Sequence, residues 1–160
     1  MDLKTIPLER PDDTNVIIGQ SHFIKTVEDI HELMVTAVPG VKFGLAFNEA
    51  SGARLVRTEG NDDELVRAAI ETVLAVGAGH TFVLFVRDAY PFNVLDRVKG
   101  CPEVCRVYCA TANPLEVVVC ETANGRGIMG VIDGQSPVGV EREPDRQWRR
   151  EFLRKIGYKR

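Results

Sequence analysis

Two of the three histidines in the chain, His22 in "GQSH" and His80 in "GAGH", follow short breaks bearing glycine. A run of apolar residues, Phe82 to Val86, follows His80. An imidazole at the mouth of a buried strand either satisfies a neighbouring carbonyl or works on a ligand. Near these histidines in type and setting stand the cations Lys25 and Arg126, the carboxylate Glu49, and the amides Gln20 and Asn48. Gly79 and Gly127 add turns whose backbone can approach a ligand closely and offer N–H groups to an anion. The chemistry this set suits is the holding of an anion beside a titratable ring. Each member also has a plain structural use: His22 as a loop residue, Glu49 and Asn48 as turn formers, Arg126 as a hairpin-tip charge. Lys25 flanks a helix start, where a cation opposes the dipole and so asks for a reason. His31 falls on the polar side of a helix and is given no role.

Other chemistries find no support. Cys101, Cys105 and Cys109 are spaced by three residues each, which matches no zinc or iron–sulfur pattern, and no metal site is assigned. Cys105 and Cys109 are expected on one strand face as small apolar residues. There is no G-x-x-x-x-G-K-[ST] and no strand followed by G-x-G-x-x-G.

The elements that must position these residues come from an ordinary globular composition of 160 residues, enough for one domain over residues 1–160. The net charge is −3, but the last fifteen residues carry seven Lys or Arg against one Glu, leaving −9 on residues 1–145. So acidic a body argues against nucleic acid as a partner. No apolar run approaches the length of a membrane span, and "MDLKTIPLERPDD" lacks the order of a secretory signal, so a cytoplasmic location is expected.

Strands are predicted at 15–19, 41–47, 54–59, 81–87, 104–110, 115–121 and 128–133. A helix should start at Thr26, capped by it with Asp29 in a capping-box position, and stop at Pro39–Gly40. A second, over 62–76, should be capped by Asn61 and bury Leu65, Val66, Ala69, Ile70, Val73 and Leu74. A third follows Pro91, and a last one, near Pro144, should bury Trp148, Phe152, Leu153 and Ile156. The fold class is α/β: a layered, mixed β-sheet flanked by helices in a single compact domain. Strand 41–47 has one bulky face, Val41, Phe43, Leu45 and Phe47, and one small face containing Gly44 and Ala46.

Connection rules place the turns. Strand–helix–strand units run parallel, and hairpins reverse. Strands 15–19 and 41–47 then finish at one sheet edge, and 54–59 and 81–87 start there. "GQSH", "FNEASG", "GAGH" and "NGRG" converge on that edge, while Asp88, Tyr90 and Asn93 fall on the opposite one. Seven strand residues span roughly 23 Å, so Asp88 cannot share a site with His80 within one subunit.

The stretches "IIGQSHFIKTVEDIHE", "VPGVKFGLAFNEASG", "GAGHTFVLF", "PFNVLDRVKGCPEVC", "GRGIMGVIDGQSPVGVE" and "RREFLRKIGYK" together resemble the adenosine-specific kinase family over almost the whole chain. The resemblance implies a layered α/β subunit, a trimer, binding of adenosine or AMP, and a histidine that carries a phosphoryl group. That histidine matches His80, with His22 in reserve. In this reading Lys25 and Glu49 assist His80, Arg126 clamps phosphate oxygens, and Gln20 and Asn48 read ribose or adenine. The phosphate would come from ATP or another donor, with or without Mg2+, and no tightly bound cofactor is expected. The alternatives are an adenosine or AMP sensor with little turnover, and a trimeric scaffold.

Overall fold

A computed structural model describes all residues, 1–160. In chain order the elements are β1 (Asp2–Leu8), β2 (Thr14–Ser21), α1 (Thr26–Ala37), β3 (Lys42–Asn48), β4 (Val56–Gly60), α2 (Asp63–Val76), β5 (Thr81–Arg87), α3 (Pro91–Gly100), β6 (Val104–Thr111), β7 (Leu115–Thr122), β8 (Gly125–Asp133) and α4 (Glu143–Lys155). They build a single layered α/β domain with two sheets, ordered β4-β3-β5-β2-β6 and β1-β7-β8.

The strand directions inferred from connection rules hold, but the neighbours differ. β2 and β3 point the same way, yet β5 lies between them and pairs antiparallel with both. β4 pairs antiparallel with β3, and β6 with β2, so every adjacent pair is antiparallel. Each helix crossover therefore skips one position: β5 later fills the one left by α1, while the crossovers through α2 and α3 step over β3 and β2, already made. β6 and β7 do not form a hairpin within one sheet: the chain leaves the larger sheet after Thr111 and starts the smaller one at Leu115. β1 is an edge strand there, paired to β7 from Asp2↔Glu121 to Leu8↔Leu115.

Alternation along the strands makes two cores. On one face Ile17, Phe43, Leu45, Phe47, Phe82 and Leu84 pack under α1 and α3, which contribute Ile30, Met34, Val94 and Val98. On the other, Val16, Ile18, Ala46, Val83 and Phe85 meet Leu65, Ala69 and Val73 of α2 and Val117 and Val119 of β7. Each fully buried Phe or Leu contributes about 1.5–3 kcal/mol of transfer free energy. The small face of β3 explains how α2 comes so close: a Cβ on Gly44 would overlap the backbone of Leu65 and Val66.

Several local expectations shift. Asp62, not Asn61, caps α2, its carboxylate accepting from the N–H groups of Glu64 and Leu65. Asn61 instead bridges the backbone of Phe43 and Val41. Leu74 is exposed, because α2 turns that face outward beyond its contact with the sheet. Thr26 is the first residue of α1, its hydroxyl donating to the carbonyl of Phe23, and Asp29 takes the Lys25 ammonium rather than closing a capping box. Cys109 is buried but Cys105 is exposed. The register of β6 against β2 slips between Cys109 and Val107 and again between Arg106 and Val104, so a four-residue spacing no longer keeps one face.

The largest correction concerns α4. None of its residues is buried, and Trp148 and Phe152 are 64% and 42% exposed, stacked on each other with centroids 5.2 Å apart. The apolar spacing is helical as expected, but neither core of this chain receives it.

Candidate active site

His80 ends the turn between α2 and β5 with φ at 60°, in the left-handed region. Histidine tolerates that region better than most residues, but any side chain other than glycine sits there at a cost. Two backbone hydrogen bonds hold it: its N–H donates to the carbonyl of Asn48 at 2.7 Å, and its carbonyl accepts from the N–H of Ser21 at 3.0 Å. The ring lies nearly parallel to Phe47, 5.7 Å between centroids and 17° between planes. The protein makes no hydrogen bond to either ring nitrogen, and neither is a buried atom. Beside it the hydroxyl of Ser21 is fully buried without a partner.

Three of the four segments expected at this edge line one cleft, and "GQSH" joins them only through the N–H of Ser21, bonded to the carbonyl of His80. A cleft of about 730 Å³ is lined by Asn48, Glu49, Gly79, Arg126 and Gly127, together with Arg54. His80 adjoins it through Gly79 and the bond to Asn48. Several of these groups are already engaged. Asn48 donates its amide to the carbonyls of Val73 and Ala78. Glu49 accepts from the N–H of Leu55 and from Arg57, and these two bonds hold its carboxyl below the usual range against the opposing pull of desolvation. No bond links it to His80. Arg126 donates to Glu121 at 2.5 Å and to the carbonyls of Ala75 and Val76 at 3.0 and 3.5 Å. It therefore caps the C-terminal end of α2 and offsets the negative pole that would oppose an anion at this edge. A Cβ on Gly79 would crowd Ala50, whereas the space above Gly127 is open.

The remaining candidates stand apart from the cleft. Gln20 accepts from the hydroxyl of Tyr108 at 3.4 Å. His22 is exposed, and its N–H donates to the carbonyl of Glu103. Lys25 bonds Asp29 at 2.5 Å and Glu103 at 3.2 Å. These two carboxylates are the reason for a cation at the start of α1.

Sequence reading did not find Glu103, and Asp29 it read only as a cap. Glu103 is buried, and its carboxyl is brought down to about 2 by a hydrogen bond shared with the Asp29 carboxyl and then by one from the Lys25 ammonium, against desolvation. Cys101 lies against the same carboxylate at 3.5 Å, and burial pushes its thiol up. The available signal was the lone acid in "CPEVC" following a helix, together with the misplaced Lys25. Asp29, Cys101 and Glu103 have donor atoms within 4.8 Å of one another, the geometry of a metal cluster. However, the Lys25 ammonium already bridges both carboxylates, and a raised thiol is a poor ligand, so the group fits an ion-pair network better than a cation site.

No curated protein matches the chain. A crystal structure of the PH1918 protein from Pyrococcus horikoshii OT3 is 44% identical, with a TM-score of 0.94 over 99% of this chain and 98% of that one. The family described as adenosine specific kinase matches residues 6–159. With nearly every residue inside that match, and the same fold in a protein 44% identical, the chain belongs to the adenosine-specific kinase family.

Proposed function

We propose that the protein is an adenosine- or AMP-binding phosphotransferase in which His80 carries the phosphoryl group. The observation that carries this reading is the state of His80: a strained backbone, a ring held against Phe47 with both nitrogens unbonded, and a place in the chain directly after Gly79, which lines a cleft with Arg54 and Arg126. Strain of this kind persists where the surroundings impose it, and it gathers at working sites.

In the first step a neutral imidazole nitrogen attacks the terminal phosphorus of ATP or another phosphoanhydride donor. The N–P bond forms, the bridging P–O bond breaks, and the donor shortened by one phosphoryl group (ADP, when the donor is ATP) leaves while the ring proton passes to solvent. In the second step the 5′-hydroxyl oxygen of adenosine attacks phosphorus, the P–N bond breaks, and the hydroxyl proton ends on the ring. Catalysis of this type rests on placement and on cations around the transferred oxygens. Arg54, which lines the cleft and was not singled out from sequence, is the side chain best supplied for that, since Arg126 and Lys25 are already paired. Mg2+ would arrive with the triphosphate. His22 is the reserve carrier. Location in the cytoplasm agrees with the absence of any helix long and apolar enough to cross a membrane. A trimer agrees with the uncovered apolar stripe of α4.

The test is incubation with terminally labelled ATP. An acid-labile, alkali-stable label that disappears in His80→Gly supports the reading; a label retained in that variant and lost in His22→Ala moves the carrier to His22. One observation favours a sensor instead: Arg126, Lys25, Glu49 and Asn48 all spend their polar groups on the protein itself. Binding of adenosine or AMP with no label in any condition would decide for the sensor.

A further inference from the structure

Beyond β8 the chain leaves the body of the molecule. It is fastened at Gly134, whose N–H donates to the carbonyl of Pro114 at 2.9 Å, and again at Tyr158, edge-on to Phe92 with centroids 5.0 Å apart. Between these points every residue from Gln135 to Phe152 is exposed, and residues 135–141 make no backbone–backbone hydrogen bond. This arm carries Val138 and Val140, both almost wholly in water, and α4 follows with the stacked pair Trp148 and Phe152. An ordered arm with no bonds of its own and four exposed apolar side chains is a costly arrangement unless another surface covers it.

The body offers a surface that matches. Between β1 and α2 runs a groove of about 200 Å³ lined by Ile6, Leu8, Ala68 and Val117. It is smaller than the pockets of about 300–1,000 Å³ that hold small ligands, and it suits a side-chain knob. Glu9 and Glu71 stand in its wall, both exposed and neither in an ion pair. The charges of the two surfaces are opposite: residues 146–160 carry +6 and residues 1–145 carry −9. Within this stretch Arg146, Arg149 and Arg150 already meet Glu141 and Glu143, whereas Arg154 and Lys155, just past Phe152, meet no carboxylate. In its own chain α4 buries none of its residues, so it leaves its own groove open.

We propose that the arm and α4 of one copy lie on a second copy of this chain. Phe152 seats in the groove between β1 and α2, Trp148 stacks on it at the mouth, and Arg154 and Lys155 face Glu9 and Glu71. The surface given differs from the surface received, so the contact is head to tail and closes into a ring of copies. The arm and helix together approach the 20–30 residues a side, roughly, of a stable interface. This inference takes from the proposed function only that copies associate; it adds which surfaces meet, and the chemistry of His80 plays no part in it.

Crosslinking tests the pairing, in a chain whose Cys105 and Cys120 are replaced by serine. One variant adds Lys155→Cys and the other Glu71→Cys, both at exposed side chains that leave the apolar seat intact, and the two are co-expressed with different tags. A short bis-maleimide should join the two kinds of chain to each other. A link only between two Lys155→Cys chains, or no link while the assembly persists, overturns the docking and leaves the association standing. Glu9→Lys combined with Glu71→Lys gives a second reading, by light scattering with far-UV dichroism as the control for folding. Association should weaken about tenfold or more in Kd, and unchanged association overturns the seat in this groove. A wild type that is monomeric removes the docking and the trimer together, while the label on His80 is read separately in the same samples.

Discussion

Arg126 reaches from the β7–β8 hairpin to the carbonyl oxygen of Ala75, 3.0 Å from its Nη1, and so ties the smaller sheet to the last turn of α2. The same side chain grips Glu121 on its own hairpin, which Lys4 of β1 also holds. An arginine first read as a phosphate clamp is thus a helix cap that fixes one wall of the cleft.

Arg126→Ala should cost about 1–2 kcal/mol of stability, from the lost carbonyl bonds and the dipole they answer. Arg126→Lys should recover only part of this, because an ammonium cannot serve the carboxylate and the two carbonyls in one plane. Urea denaturation of the three proteins gives the comparison.

His80 carries a second signature besides any label. Glycine accepts a φ of 60° without strain, so His80→Gly should lie within about 1 kcal/mol of wild type despite losing the stack on Phe47. His80→Val forces a β-branched side chain into the same conformation and should cost about 2 kcal/mol or more. Equal stability of the two variants would show that the backbone relaxes freely there.

Glu103 ionises more readily in the folded chain, at about 2, than an unfolded glutamate does. Its contribution to stability is therefore full above roughly pH 4.3 and drains away as pH falls toward 2. Glu103→Gln should melt below wild type at pH 7, and the gap between their melting temperatures should close across that acid range. A gap that stays constant from pH 7 to pH 2.5 would place the effect in packing rather than charge.

The stripe on α4 is tested by mass. Trp148→Ala combined with Phe152→Ala should convert a trimer to single chains of 17.7 kDa in light scattering, with far-UV dichroism changed little. A wild-type protein that is already monomeric would remove the trimer.

What the sequence revealed follows from which interactions are local. Periodicity located α2 and β3 within a residue or two because α2 buries one face and β3 sends bulky and small residues alternately to the two cores; the small face, Gly44 and Ala46, is the one α2 approaches. Connection rules gave strand directions, since a helix crossover reverses nothing. They could not show that β5 would enter between β2 and β3, because that choice is made by packing between residues far apart in the chain. β1 was missed altogether: "DLKTIPL" contains a proline and is mostly exposed, which an edge strand permits and an inner one does not. At the site, the gathering of the turns was legible. The partners that consume Arg126, Glu49 and Lys25 were not: Ala75 and Glu103 come from distant elements, and the nearer ones, Glu121, Arg57 and Asp29, depend on which way each side chain turns.

The insertion of β5 also fixes the order in which the sheet can come into being. While the ribosome is still making the first eighty residues, β2 and β3 have no partner in common, and the rims that β5 will join keep their backbone N–H and C=O groups unpaired. The nascent amino-terminal half is therefore a sticky, unfinished object until residues 81–87 emerge and zip into the slot from both sides. A cut or pause just before Thr81 would strand the polypeptide in that state, whereas a break after Thr111 would leave all five strands of the larger sheet already in hand.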